Sequence, residues 1–76
     1  MPSSIFTDRY QKFLTLLLDA RNRSNLTQVE LADRIKKPQS YVSKYERGER
    51  RLDVGEFLSI SEAMDVDPIT IIRQLL

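Results

Sequence analysis

Four side chains within six residues, Gln39, Ser40, Ser43 and Lys44, bring together an amide, two hydroxyls and an ammonium. At about 100° per residue they share one side of a helix, while Tyr41, Val42 and Tyr45 share the other. An amide both donates and accepts, a hydroxyl does either, and an ammonium only donates. That mixture suits the edges of nucleic-acid bases: Gln pairs bidentately with adenine, Lys reaches guanine O6 and N7, and Ser takes either partner. The plainer reading of the same face is a solvated helix surface. Its surroundings must decide.

Those surroundings are strongly charged. Residues 34–51 carry Arg34, Lys36, Lys37, Lys44, Arg47, Arg50 and Arg51 against Glu46 and Glu49, a net +5 in a chain whose formal charge is only +1. Residues 52–76 carry Asp53, Glu56, Glu62, Asp65 and Asp67 against Arg73 alone, a net −4. Such segregation implies one face offered to a polyanion and another kept away from it.

Other chemistries find little material. The chain has no cysteine and no histidine, which excludes disulfides and removes the usual zinc ligands, thiol nucleophile and general base. Its carboxylates form no recognisable site motif, and two glycines cannot build a phosphate-cradling loop. An enzyme is not expected, nor a metal or cofactor, and Met64 reads as core. At 76 residues the chain reads as one domain, 1–76, near the lower limit for a self-sufficient core. Such a core supplies about 3–5 kcal/mol, so dimerisation is the expected staple. The longest apolar run is Leu16-Leu17-Leu18, far below the roughly 20 residues of a membrane span. No signal peptide opens the chain, and Met1 at its start speaks against truncation there. A cytoplasmic, unprocessed protein that does not meet the membrane is expected.

Five short helices must position these groups, giving an all-α fold. Phe6, Tyr10, Phe13, Leu14 and Leu17 predict a first helix over about residues 5–24, closed by Asn25 in a left-handed conformation. Thr27 and Glu30 form a capping box, flanked by Leu26 and Leu31 as a hydrophobic staple, so a second helix starts at Gln28. A third begins at Pro38 and ends before Gly48. A fourth begins at Asp53 with Glu56 completing a second capping box, and buries Phe57, Leu58, Ile60, Ala63 and Met64. Asp67-Pro68 caps a fifth that runs to the C-terminus. Two consecutive short helices, the second with a polar outer face, have helix-turn-helix geometry, in which the second helix enters the major groove.

The stretch "LTQVELADRIKKPQSYVSKYERGER" resembles the phage-repressor type of helix-turn-helix, the Cro and XRE class of bacterial and phage regulators. The carriers are Thr27-Gln28, Glu30, Leu31-Ala32, Ile35, Gln39, Val42, Tyr45-Glu46 and Gly48, with similarity over residues 9–72 and the motif at about 27–48. The resemblance implies a five-helix lambda-repressor-like domain that binds double-stranded DNA. It assigns base reading to Gln39, Ser40, Ser43 and Lys44. Gln28 is assigned to a phosphate, while Arg21 and Glu46 pair within the fold. Ala32 is the small residue at the helix crossing. Lys36, Lys37, Arg47, Arg50 and Arg51, with the Tyr41 hydroxyl, are then expected at phosphates on either side of the groove. The acidic fourth and fifth helices should face away. Three positions depart from the family pattern: Lys36 stands where Gly is usual, at a cost of roughly 1 kcal/mol if its φ is positive, Lys37 stands where an apolar residue is usual, and Pro38 replaces the usual Ser or Thr cap.

The fifth helix, residues 68–76, is more apolar than one core contact requires. Ile69, Ile72, Leu75 and Leu76 are the expected dimer interface, giving a two-fold dimer on a near-palindromic operator. The alternative has Ile69 and Ile72 in the core with Leu75 and Leu76 frayed. The resulting reading is a homodimeric transcriptional regulator, a repressor, of bacterial or phage origin and nucleoid-associated when bound. Its rival is an antitoxin-like module that neutralises a partner protein through the apolar fifth helix, with DNA binding secondary.

Overall fold

Residues 7–76 are described by a computed structural model, with five helices and no strand among them: α1 (Asp8–Arg23), α2 (Gln28–Arg34), α3 (Gln39–Glu46), α4 (Val54–Ala63) and α5 (Pro68–Arg73). The expected helix start at residue 5 and the apolar Phe6 lie outside the described residues. Side chains cap four of the five starts, each worth about 1 kcal/mol. Thr7 Oγ1 accepts from the Tyr10 N–H at 3.1 Å. Both capping boxes close: Thr27 accepts from Glu30 N–H at 3.0 Å while Glu30 accepts from Thr27 N–H at 2.8 Å. Asp53 and Glu56 do the same at 2.7 and 2.9 Å. Asp67 caps α5 by accepting from the Ile69 N–H at 2.9 Å. Only α3 lacks a side-chain cap. Pro38 sits at its N-cap with an extended ψ of 155°, so α3 begins one residue later than expected, at Gln39.

The first four helices end alike. Asn25, Lys36, Gly48 and Asp65 have φ of 58°, 59°, 79° and 57°. In each case the following N–H reaches back to the helix: Leu26 to Arg21 O, Lys37 to Ala32 O, Glu49 to Lys44 O and Val66 to Ser61 O. This is the Schellman closure, which satisfies carbonyls the helix end leaves open. Only Gly48 adopts it without crowding a Cβ.

Leu17, Leu31, Val42 and Ile60 are fully buried at the centre, and Leu26, the other staple leucine, joins Leu31 there. Phe13 packs edge-on against Phe57 with ring centroids 5.1 Å apart, linking α1 to α4. Leu58 departs from expectation: it is 47% exposed, because one residue past Phe57 turns it off the buried face, and Val54 four residues earlier is exposed with it. In α5 the core contact is Ile71, whereas Ile69 and Ile72 are 54% and 39% exposed. The alternative that places those two in the core therefore fails. The helix also stops at Arg73, short of the C-terminus, where single-turn bonds from Gln74 and Leu75 to Ile71 and Ile72 replace it. Leu75, half-buried, lines a cleft of about 240 Å³ together with Tyr10, Phe13 and Arg51. Among the described residues no helix is long and apolar enough to cross a membrane.

Candidate nucleic-acid interface

The unit that presents the polar face is rigid for local reasons. α2 and α3 make the most extensive helix-helix contact, with Ala32 almost fully buried and Val42 and Tyr45 completely so. A small residue at the crossing lets the two backbones approach closely. Between them the turn runs through Lys36 at positive φ, held by Lys36 N–H to Asp33 O and Lys37 N–H to Ala32 O. Lys36 thus takes the left-handed conformation itself, with both turn hydrogen bonds made. Gln39, Ser40 and Lys44 are exposed on α3, and Ser43 is half-buried beside them. All four base-reading candidates lie on this helix.

Beneath that face lies a continuous polar network. Arg21 donates through Nε to Glu46 Oε2 at 2.6 Å and through a second nitrogen to Oε1 at 3.0 Å, and its third nitrogen donates to Leu26 O at 2.9 Å. The pair is nearly buried, at 12% and 7% side-chain exposure. The expected internal pairing of Arg21 with Glu46 is present. Gln28 Nε2 donates to Glu46 Oε1 at 2.7 Å, and Gln39 Nε2 donates to Gln28 Oε1 at 2.6 Å. Gln28 and Gln39, assigned separately to phosphate and base in the sequence, therefore touch. Both are the first residue of their helix, so each starts where two helix N-termini converge; that shared position was the signal available.

The cations divide into two groups. Lys36 and Lys44 join no ion pair among the described residues. Arg47 pairs with Glu49 at 2.9 Å, Arg50 pairs bidentately with Glu56 at 2.6 and 3.1 Å, and Arg34 donates to the α4 carbonyl of Ala63 at 2.8 Å. Lys37 Nζ and the Arg50 guanidinium lie 5.5 and 4.6 Å from the centre of the Tyr41 ring, and Arg51 lies 4.2 Å from that of Tyr10. The expectation that the acidic helices face away needs correction. Glu56 turns toward the basic stretch, where the Arg50 guanidinium and the Asp53 N–H hold its carboxyl down at about 2. Asp53, Glu56 and Asp67 cap helices, and Glu56 also restrains Arg50, since a carboxylate near a helix N-terminus is stabilised by the unpaired N–H groups there. Burial, followed by the Glu56 carboxylate, raises the pKa of the Tyr41 hydroxyl. Among the described residues no group of three or more His, Cys, Asp or Glu could hold a metal ion.

A helix-turn-helix family model matches residues 17–71, most of the chain and the whole of this unit. An XRE-family like protein from Pseudomonas syringae pv. tomato is 49% identical, with 88% of this chain and 82% of that one aligned at a TM-score of 0.85. The restriction-modification controller protein C.AhdI from Aeromonas hydrophila is 31% identical, covering 88% and 96% of the two chains at a TM-score of 0.72. The controller protein C.Esp1396I, solved as a tetramer with its natural 35 base-pair operator, shares the fold at a TM-score of 0.81 over 92% of each chain, with 21% identity. No curated protein matches the sequence. With the motif matched across α2 and α3 and a half-identical structural relative, the chain belongs to the XRE-class helix-turn-helix family.

Proposed function

We propose that this chain is a sequence-specific, double-stranded DNA-binding regulator of transcription, working in the cytoplasm as a homodimer and acting as a repressor. One observation carries the reading: the outer face of α3 gathers Gln39, Ser40, Ser43 and Lys44 on a helix whose inner face, Val42 and Tyr45, is locked into the core. α3 enters the major groove and these four side chains meet base edges. Gln28, Lys36, Lys37, Tyr41, Arg47, Arg50 and Arg51 meet phosphates on either side. Relatives support the reading: C.AhdI is a restriction-modification controller protein 31% identical to this chain, and this chain shares its fold with C.Esp1396I, which was solved in complex with its operator.

The dimer forms through the outward residues of α5, Ile69 and Ile72, with Leu75 and Leu76. Burying apolar side chains that one subunit leaves in water drives that contact. Two α3 helices then read half-sites roughly 34 Å apart on a near-palindromic operator. Selection of bound sequences from a random duplex library, at two salt concentrations, tests the proposal. Convergence on a two-fold-symmetric site that survives the higher salt is expected. Binding without preferred sequence that disappears with salt would reject it and leave a protein partner as the target. Ile72→Asp with Leu75→Asp should convert the dimer to a monomer in sedimentation.

A further inference from the structure

Hydrogen-bond polarity runs in one direction from the buried ion pair to the outer face of α3. A carboxylate can only accept, and Glu46 already accepts from two Arg21 nitrogens at 2.6 and 3.0 Å. The Gln28 amide atom 2.7 Å from Glu46 Oε1 must therefore be the donor, Nε2. Gln28 Oε1 is left facing Gln39, and an amide oxygen accepts only. The Gln39 atom 2.6 Å away is consequently Nε2. The two ends of a glutamine amide are nearly identical in shape, so its orientation is set by its partners alone.

What remains of Gln39 is one acceptor, Oε1, beside one N–H. Adenine offers the complement, an N6–H donor beside the N7 acceptor. Guanine offers two acceptors, O6 and N7, and would require two donors side by side. Gln39 could supply them only with its oxygen turned inward, against Gln28 Oε1, where no proton would separate the two oxygens.

We propose that Glu46 is a positioning residue for base choice: acting through Gln28, it holds Gln39 in the orientation that selects adenine over guanine. This rests on the reading of Gln39 as a base-contacting residue. Glu46 itself touches no base. Arg21 and Glu46 thereby couple the interior, where α1 and α3 are pinned together, to specificity at the surface.

Competition binding of the full chain to duplexes differing at one base pair tests this. Gln39→Ala identifies the pair concerned as the one whose preference it abolishes. There the wild type should favour adenine over guanine by about tenfold, the discrimination typical of one bidentate contact. Glu46→Gln and Gln28→Ala, each verified as folded by circular dichroism, should bring that ratio close to one and leave preferences at other positions intact. A lost phosphate contact or lost stability would weaken all sequences alike, so the ratio at one pair isolates positioning. Should Glu46→Gln not fold, Gln28→Ala carries the test, because it leaves the Arg21–Glu46 pair in place. An unchanged ratio in folded Gln28→Ala, or a wild-type preference for guanine, overturns the proposal while Gln39 stands as a base reader. If Gln39→Ala alters no position, the base-reading role falls, and this inference falls with it.

Discussion

Two arginine–glutamate pairs in this molecule have nearly the same geometry and different physical meaning. Arg21–Glu46 and Arg50–Glu56 are both bidentate and both close to 2.6 Å. The first joins α1 to α3 with side chains 12% and 7% exposed, whereas the second joins the loop before α4 to its first turn at 40% and 23%. Water screens the second pair and can replace either partner, so it contributes little and Arg50 can leave Glu56 for a phosphate at small cost. Neither member of the first pair has that option, because removing one strands a charge in a poorly polarisable interior. Distance alone therefore says nothing about worth. Burial makes one pair a tie between α1 and α3 and the other a solvent-screened restraint on Arg50.

The largest expected effect tests the buried side. Glu46→Ala should cost about 3–5 kcal/mol, read as a lower urea midpoint at unchanged slope. A loss no greater than that of Arg50→Ala would break the comparison. Lys36→Gly should stabilise by about 1 kcal/mol, because it relieves a side chain held at positive φ. The same change should weaken DNA binding and flatten its salt dependence, by loss of an exposed cation. Tyr45 sharpens the buried side from another direction, since its hydroxyl is buried without a hydrogen-bond partner among the described residues. Tyr45→Phe should be stabilising by up to about 1 kcal/mol in thermal unfolding.

The smallest effect belongs to the exposed pair. Glu56→Gln keeps a capping residue but removes the charge, and should cost about 0.5 kcal/mol at neutral pH. Its signature is acid dependence. The Glu56 carboxyl lies at about 2, below the ordinary 4.5. A depressed carboxyl contributes its stability in full above 4.5 and loses it as pH falls toward 2. The wild type should lose stability across that window, and Glu56→Gln should lose less.

Much of the fold was legible because it is local. Thr27 with Glu30 and Asp53 with Glu56 lie three residues apart, so their reciprocal bonds form whatever the rest of the chain does. Asn25 and Gly48 announced their left-handed turns by residue type. Asp65 did not, because aspartate takes that conformation less readily; only the short link between α4 and the Asp67 cap requires it there. Leu58 was misplaced because adjacent apolar residues blur the edge of a helix face, and packing decides which is inside. Ile71 took the core position in α5 for the same reason, leaving Ile69 and Ile72 outward.

By itself, then, the sequence determined the helices, their caps and the polar face of α3, all set by residues within one turn of each other. Tertiary structure decided which like residue does what. Both Arg21 and Arg50 had a glutamate within reach, yet only the first was nearly sealed from water, and Gln28 met Gln39, eleven residues further along the chain, only when α2 and α3 crossed. Hydrogen bonds between distant residues depend on how helices pack, and the strength of a charge pair depends on how much water that packing excludes. Neither quantity is a property of a residue or its neighbours in sequence.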